Sequence, residues 1–316
     1  MQNILLKAPA KLNLFLEVTG KRPNGYHELA TLFAKISLFD WLHLQAEPAT
    51  KEELHLTITG PLADQLPVNP SNLVLRAAQL FERHFQQPLR LNIQLGKNIP
   101  MGAGLGGGSS DAGTVLRGLC KLFNKNPLDL LAPAAELGAD VPLFLYPDTF
   151  LKGEGIGEKL TPISSGKNLP WAVLVYPDTA VSTKGVFGRL VLPSSKDILT
   201  KLSNLDKLIR YIQQGVPLSK WEDVMFNRLE GAVLPYVVSV RDVKENFSAL
   251  GANPLMSGSG STVFALTPDQ EHAKDLAGRI KQKGRKVFIV HFGGTQDEDN
   301  GNSDPLDGGR APQSLC

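Results

Sequence analysis

Leu89-Arg90-Leu91-Asn92-Ile93-Gln94-Leu95 runs through Lys97 into Ile99-Pro100-Met101-Gly102-Ala103-Gly104-Leu105-Gly106-Gly107-Gly108-Ser109-Ser110-Asp111. Beyond it Ala112, Val115, Leu116, Leu119, Cys120 and Phe123 recur at i, i+3, i+4, i+7, i+8 and i+11. Alternation predicts a strand and the later recurrence an amphipathic helix, so the unit is strand, glycine loop, helix. Such a loop suits phosphate, because glycines let backbone N–H groups approach closely and a helix N-terminus carries roughly half a positive charge. A tightly packed turn is the alternative reading. Five glycines in seven positions between a clear strand and a clear helix favour an anion site.

Other phosphate loops are separated by their surroundings. Ser109-Ser110-Asp111 follows Gly108, so the lysine of a Walker A loop is missing. Gly102, Gly104 and Gly107 match G-x-G-x-x-G, but Asp129, at the distance where a dinucleotide fold wants an acidic strand end, lies in a helical context. No H-R-D or D-F-G tripeptide occurs, which excludes the protein-kinase signature.

Outward from the loop, Asn69-Pro70-Ser71-Asn72 offers an N-cap to a helix from Leu73 to Phe85, and Leu54 to Ile58 alternates as a strand. Nearer the N-terminus Leu12, Leu14, Leu16 and Val18 alternate with Lys11, Asn13, Phe15 and Glu17, placing Lys11 and Asn13 on one strand face. A turn cluster, Gly20 to Gly25, precedes Tyr26 and His27. On the other side, Pro162 to Lys167 marks a junction, followed by a strand from Trp171 to Tyr176. A helix ending near Gly251 leads to a second glycine-serine loop, Met256 to Thr262, a short strand, a helix capped by Thr267 with Pro268 in its first position, and a strand from Val287 to Val290. The expected class is α+β, with residues 1–163 and 164–293 as two domains and 294–316, almost devoid of apolar residues, as a disordered tail.

Composition bounds the rest. With 33 Lys and Arg against 31 Asp and Glu, the chain lacks the basic stripe of a nucleic-acid binder. Two cysteines cannot build a disulfide framework, and no export signal or bilayer-spanning apolar run is read, so a cytoplasmic protein without nucleic-acid or membrane partners is expected. His43, His55 and His84 lack metal-ligand spacing with one another. Locally, Asp140 in Gly138-Ala139-Asp140-Val141-Pro142 reads as a helix cap, Tyr26 and His27 as surface filling, and Lys97 as either a phosphate-steering or a solvated strand-end lysine.

The glycine loop resembles the ATP-binding motif of the GHMP kinases, P-x-x-x-G-L-G-S/G-S/G-S/A. Pro100 to Ala112 is very similar to its form in the branch whose acceptor is a cytidine diphosphate-linked methylerythritol. Ala8-Pro9-Ala10-Lys11-Leu12-Asn13-Leu14-Phe15-Leu16 and Arg22-Pro23-Asn24-Gly25-Tyr26-His27-Glu28 look like that branch's N-terminal signature, and Met256 to Thr262 resembles the family's third motif, which closes over the phosphates. The likeness is collinear from about Lys7 to Phe264.

The resemblance implies a two-domain GHMP kinase fold: an N-terminal ATP-binding domain of mixed sheet and helices, and a ferredoxin-like α/β sandwich after it. It implies transfer of the ATP γ-phosphoryl to the acceptor's 2-hydroxyl, with Mg²⁺, in a monomer or weak homodimer. Pro100, Met101, Gly102, Ala103, Gly104, Leu105, Gly106, Gly107, Gly108, Ser109 and Ser110 would hold ATP, Lys11 would stand by the acceptor hydroxyl, and Asp140 would accept its proton. Asn13, Tyr26, His27, Thr183 and Phe187 would bind the acceptor; the metal ligands stay open, with Ser109 and Ser110 both candidates. The rivals are a homoserine or mevalonate kinase, which has no need of Gly25-Tyr26-His27, a nucleotide-binding oxidoreductase, and a non-catalytic nucleotide-binding module.

Overall fold

A long antiparallel hairpin, β1 (Gln2–Lys21) with β2 (His27–Pro48), forms the spine of the computed structural model, which describes residues 1–293. There follow β3 (Glu53–Thr59), α1 (Leu73–Phe85), β4 (Leu89–Gly96), α2 (Gly107–Leu122), α3 (Leu131–Leu137), β5 (Phe150–Gly155) and β6 (Lys159–Ile163). The second half holds β7 (Trp171–Tyr176), α4 (Thr183–Arg189), α5 (Ser195–Gln214), α6 (Leu218–Glu222), β8 (Phe226–Asn227), α7 (Glu230–Val233), α8 (Val238–Ala249), β9 (Pro254–Met256), β10 (Val263–Thr267), α9 (Gln270–Ile280) and β11 (Lys286–His291).

The first sheet runs β3-β4-β2-β1-β8, with β5 and β6 added beside the N-terminal half of β2. It is mixed, because β3 lies parallel to β4 and β8 parallel to β1. α2 packs Ala112, Val115, Leu116 and Leu119 into a core shared with α1, β2 and β4. Each large apolar side chain so buried contributes about 1.5–3 kcal/mol. Gly113 lets the chain after Asp140 come close, since a Cβ there would stand 2.6 Å from Phe144 Cβ and 3.0 Å from the Val141 carbonyl oxygen.

β11, β7, β10 and β9 form a second, antiparallel sheet in that order. Numbered along the chain this is 4-1-3-2, the arrangement of a ferredoxin-like sandwich. Alternate residues of β7 feed two cores. Val173 and Val175 pack with α8 and α9, while Ala172, Leu174 and Tyr176 join Leu12, Leu14 and the α5 residues Leu205, Leu208 and Ile212. The α+β architecture expected from the sequence is therefore present.

Three local expectations are corrected. β1 begins at Gln2 rather than Lys11, and a register slip between Asn13 and Phe15 sends Phe15 into the core beside Leu12 and Leu14 instead of leaving it on the Lys11 face. α2 begins at Gly107, inside the glycine loop. Thr267 ends β10, and Asp269 caps α9 by accepting a hydrogen bond from the His272 backbone N–H; the Thr267 backbone is paired with Trp171 and its hydroxyl donates to the Asp269 carbonyl at 3.1 Å, so the carboxylate two residues on takes the orphan donor. The segment 294–316, expected to be disordered, lies outside the described residues. No helix among the described residues is long and apolar enough to cross a membrane.

Candidate active site

Glycines 102, 104 and 106 all take positive φ, the conformation that favours glycine, and they fold the loop between β4 and α2 back over β1. The Leu105 carbonyl accepts from the Lys11 backbone N–H at 2.9 Å. At Gly104 a side chain has no room, because a Cβ would meet the Ser257 carbonyl oxygen at 2.1 Å. The two glycine loops are thus in direct contact. The Ser257 hydroxyl donates to the Gly104 carbonyl at 3.0 Å, and the Thr262 N–H to the Ala103 carbonyl at 3.1 Å.

Gly106 is the N-cap of α2 and offers no side chain, so none competes for the first-turn N–H groups of this 16-residue helix. Those donors and the helix dipole point toward one end of a cavity. The helix forms because its apolar stripe finds the β1–β2 hairpin; its bare glycine start is what leaves the donors available.

Beneath the loop, Lys97 is buried between two buried carboxylates. Its ammonium donates to Asp111 Oδ2 at 2.8 Å and to Asp40, whose other oxygen accepts from the Asn98 and Ile99 N–H groups. Burial opposes the Lys97 charge, but the two acids outweigh it and hold the ammonium above its ordinary range. Burial drives the Asp111 carboxyl well above the carboxylate range despite Lys97. Of the two sequence readings of Lys97, the solvated one fails: the side chain is buried, lines the cavity and braces the loop's entry to the start of α2.

Lys11 is 4% exposed and donates to Asn13 Oδ1 at 2.7 Å; Asn13 in turn donates to the Thr31 hydroxyl at 2.8 Å, which donates to the Phe15 carbonyl at 2.6 Å. This relay fixes the ammonium 3.7 Å from Asp140 Oδ2. Burial lowers the Lys11 pKa, and the Asp140 charge partly restores it. Asp140 caps nothing. The one-turn helix Pro142–Leu145 has Val141 at its N-cap and no side-chain cap bond, so the carboxylate, about one-third exposed, is left to face the cavity.

The opposite wall gathers the remaining candidates. The turn before β2 is closed by Arg22 N–H to the Tyr26 carbonyl at 2.7 Å and by an Arg22–Glu28 ion pair at 2.5 Å. It presents Tyr26, largely exposed, and His27, whose ring stacks on Phe187 with centroids 5.0 Å apart and planes 26° apart. Burial first, and Lys21 second, keep the His27 imidazole below its usual pKa, toward the neutral form. Phe187 and Thr183 lie one turn apart on α4, and the Thr183 hydroxyl is 2.9 Å from that of Ser259 in the second glycine loop.

Lys11, Asn13, Tyr26, His27, Asp140, Thr183 and Phe187 all line one cavity of 1180 Å³ with the loop residues Pro100 to Ser109. A cleft for one small ligand holds about 300–1,000 Å³, so two ligands fit here. Ser110 is excluded from the lining: its hydroxyl is fully buried, while that of Ser109 faces the cavity. The far end is apolar, walled by Leu66, Pro67, Leu73 and Leu95, none of which the sequence reading placed in the site. Nothing in their local pattern distinguishes them from core residues. His43, His55 and His84 stand outside the lining, and among the described residues no group of three His, Cys, Asp or Glu side chains could hold a metal ion.

Comparison with known proteins gives the same outline. The profile described as GHMP kinases N terminal domain matches residues 72–148, and GHMP kinases C terminal matches residues 201–286. The 4-diphosphocytidyl-2-C-methyl-D-erythritol kinase of Lachnoclostridium phytofermentans is 39% identical over 297 residues, covering 92% of this chain and 98% of its own. A crystal structure of 4-(cytidine 5'-diphospho)-2C-methyl-D-erythritol kinase superposes with TM-score 0.73 at 35% identity, covering 92% of this chain and 100% of its own. A homoserine kinase from Cytophaga hutchinsonii superposes equally well, with TM-score 0.74 over 93% of this chain and 96% of its own, but at 20% identity, so it speaks for the fold alone.

Proposed function

The chain belongs to the GHMP kinase family, among the 4-diphosphocytidyl-2-C-methyl-D-erythritol kinases, and from that premise we propose how its cavity performs the reaction. The protein is an ATP-dependent small-molecule kinase whose acceptor is 4-diphosphocytidyl-2-C-methyl-D-erythritol, in the isoprenoid pathway that does not use mevalonate. The observation that carries the site assignment is the meeting of Lys11 and Asp140 beside the uncapped start of α2.

In this reading Pro100 to Ser109 enclose the triphosphate. The free N–H groups of Gly107 to Ser109 take phosphate oxygens, and the base lies in the apolar end between Leu66 and Leu95. The second loop covers the phosphates from the other side. The acceptor's cytosine lies against the His27–Phe187 pair near Tyr26, Thr183 holds its linker, and the 2-hydroxyl points between Lys11 and Asp140. Asp140 takes the hydroxyl proton as the oxygen attacks in line, and the Lys11 ammonium offsets charge on that oxygen, so positioning and electrostatics supply most of the acceleration. Asn13 keeps the ammonium on target through the Thr31 relay.

Mg²⁺ would be held by the Ser109 hydroxyl, a hard oxygen donor on this wall, and ordinarily takes most of its ligands from water and phosphate, so a cage of several acids is not required. When bound it neutralises phosphate charge. The chain acts on small molecules, and one copy contains every side chain invoked here.

A panel of acceptors with Mg-ATP, read by product mass, tests the reading. Phosphorylation of the cytidylyl substrate alone is expected; transfer to homoserine or mevalonate, or to none, would overturn it.

A further inference from the structure

Deepening the kinase reading, and resting on it, we propose that Asn227 is a positioning residue for phosphoryl transfer: its buried side-chain amide sets where the second glycine loop stands over Lys11 and Asn13. Asn227 is 2% exposed, and its two amide hydrogens go to the carbonyls of Met256 at 2.7 Å and Gly258 at 2.8 Å. Its oxygen accepts from the Leu229 N–H at 2.9 Å. Both donors are used and the oxygen is held, so the orientation is fixed; turning the amide over would set oxygen against two carbonyls.

The same short stretch grips the loop a second time. Glu230 Oε1 accepts from the Met256 N–H at 2.9 Å, while Lys244 pairs with the other carboxylate oxygen. The stretch is fastened in turn to β1. Phe226 pairs with Phe15, the Arg228 N–H donates to the Leu16 carbonyl at 2.8 Å, and the Arg228 guanidinium makes a two-pronged bond to buried Glu17 at 2.7 and 2.6 Å. One strand therefore carries Lys11 and Asn13 and also carries the frame that holds the loop opposite them.

The fit at Gly258 shows how close that registration is. A Cβ there would stand 3.1 Å from Lys11 Nζ, 3.2 Å from Asn13 Oδ1 and 3.3 Å from the Gly104 carbonyl oxygen. No side chain fits between the loop and Lys11, Asn13 or the loop assigned to ATP. A shift of the order of 1 Å in such a place costs about a hundredfold in rate. The pairing of Met256 with Val263 holds the loop at its two ends; Asn227 adds a hold inside it, at Gly258, besides the one at Met256.

The test uses the full chain carrying Asn227→Asp, which keeps the shape and removes both donors. Turnover is expected to fall by about 30-fold or more, and affinity for a non-hydrolysable ATP analogue by about tenfold, while acceptor affinity stays within about threefold of wild type. A role confined to folding would instead shift the melting temperature and leave per-folded-molecule rates intact. Unchanged turnover and analogue affinity in the folded variant overturns the proposal, as does a loss that vanishes once rates are divided by the folded fraction. Should Asn227→Asp not fold, Glu230→Ala loosens the same grip from a partly exposed position, and the same pattern at about threefold is expected; wild-type behaviour there overturns it. Wild-type activity on the cytidylyl acceptor judges the kinase reading separately. The analogue affinity needs no acceptor, so it judges Asn227 even if that reading fails.

Discussion

Lys11 Nζ stands 3.7 Å from Asp140 Oδ2 at the mouth of the α2 helix, bringing together a strand near the N-terminus and a turn beyond α3. The ammonium is buried and held by Asn13, whereas the carboxylate is partly exposed and faces the cavity. The pair is unequal: the cation is fixed and the acid is accessible to a substrate proton.

Replacing Asp140 with Asn keeps the size and removes the proton acceptor. Turnover is expected to fall by about a hundredfold or more, the scale of lost general-base catalysis. Titration calorimetry should find ATP-analogue and acceptor affinity unchanged. Near-normal turnover would remove Asp140 from the chemistry.

The ring pair of His27 and Phe187 predicts where the acceptor's base is held. Phe187→Ala should weaken the cytidylyl acceptor by about 1–3 kcal/mol, the worth of one base–aromatic stack, and Tyr26→Ala should weaken it in the same direction. Nucleotide affinity should not move in either variant. Acceptor affinity equal to wild type in both would shift the base to another wall.

Two glycines of the first loop should answer differently to alanine. At Gly104 the added carbon meets the Ser257 carbonyl and the backbone has φ +75°, so Gly104→Ala should force the two loops apart, lower the melting temperature and weaken ATP. Gly108 lies in the first turn of α2 with nothing nearer than Leu73 Cδ1 at 3.7 Å, so Gly108→Ala should fold at least as well, alanine being favoured in helices by up to about 1 kcal/mol. Its added methyl stands in the proposed phosphate path and should raise the KM for ATP. Equal melting temperatures for the two variants would contradict the contact between the loops.

Lys35 is fully buried on β2, where its ammonium donates to the Tyr146 carbonyl. Burial first and Arg117 second lower its pKa from 10.5 to about 7, and Asp148 opposes them. Between pH 7 and 10.5 the unfolded chain binds the proton that the folded chain has released, so this group makes stability rise with pH across that window; below pH 7 its full penalty applies. Melting temperatures of wild type and Lys35→Met should therefore differ most in the variant's favour near pH 6, and that advantage should shrink toward pH 9. A difference independent of pH would mean that Lys35 is not held neutral.

Much of the frame can be read without coordinates. The helix from Leu73 to Phe85 lies where its cap and spacing put it, with Asn72 accepting from the Val74 N–H. β4 follows its alternation because one of its faces is buried, whereas β7, buried on both faces, is read from its continuous apolar run, and α2 from the recurrence of its apolar residues. β1 is harder to read, since apolar surfaces cover both its faces and a slip at Asn13 breaks the alternation. The cap expected at Thr267 moves to Asp269 because local preference ranks several residues, while the strand's last ladder bond selects among them.

Sequence order alone determines what is chemically local here: five glycines ahead of a helix, a lysine and an asparagine two apart on one strand, an aspartate in a short turn. Folding in three dimensions decides everything that depends on distance between remote segments. It takes Lys97 out of solvent and sets it between Asp40 and Asp111, denies Asp140 a helix to cap, sinks the Ser110 hydroxyl while leaving that of Ser109 at the cavity, and leans the second glycine loop on Asn227. The physical reason is that pattern encodes which face of an element is apolar, whereas the partner that face meets, and the polar groups carried along with it, are chosen only when the sheets close around a common core.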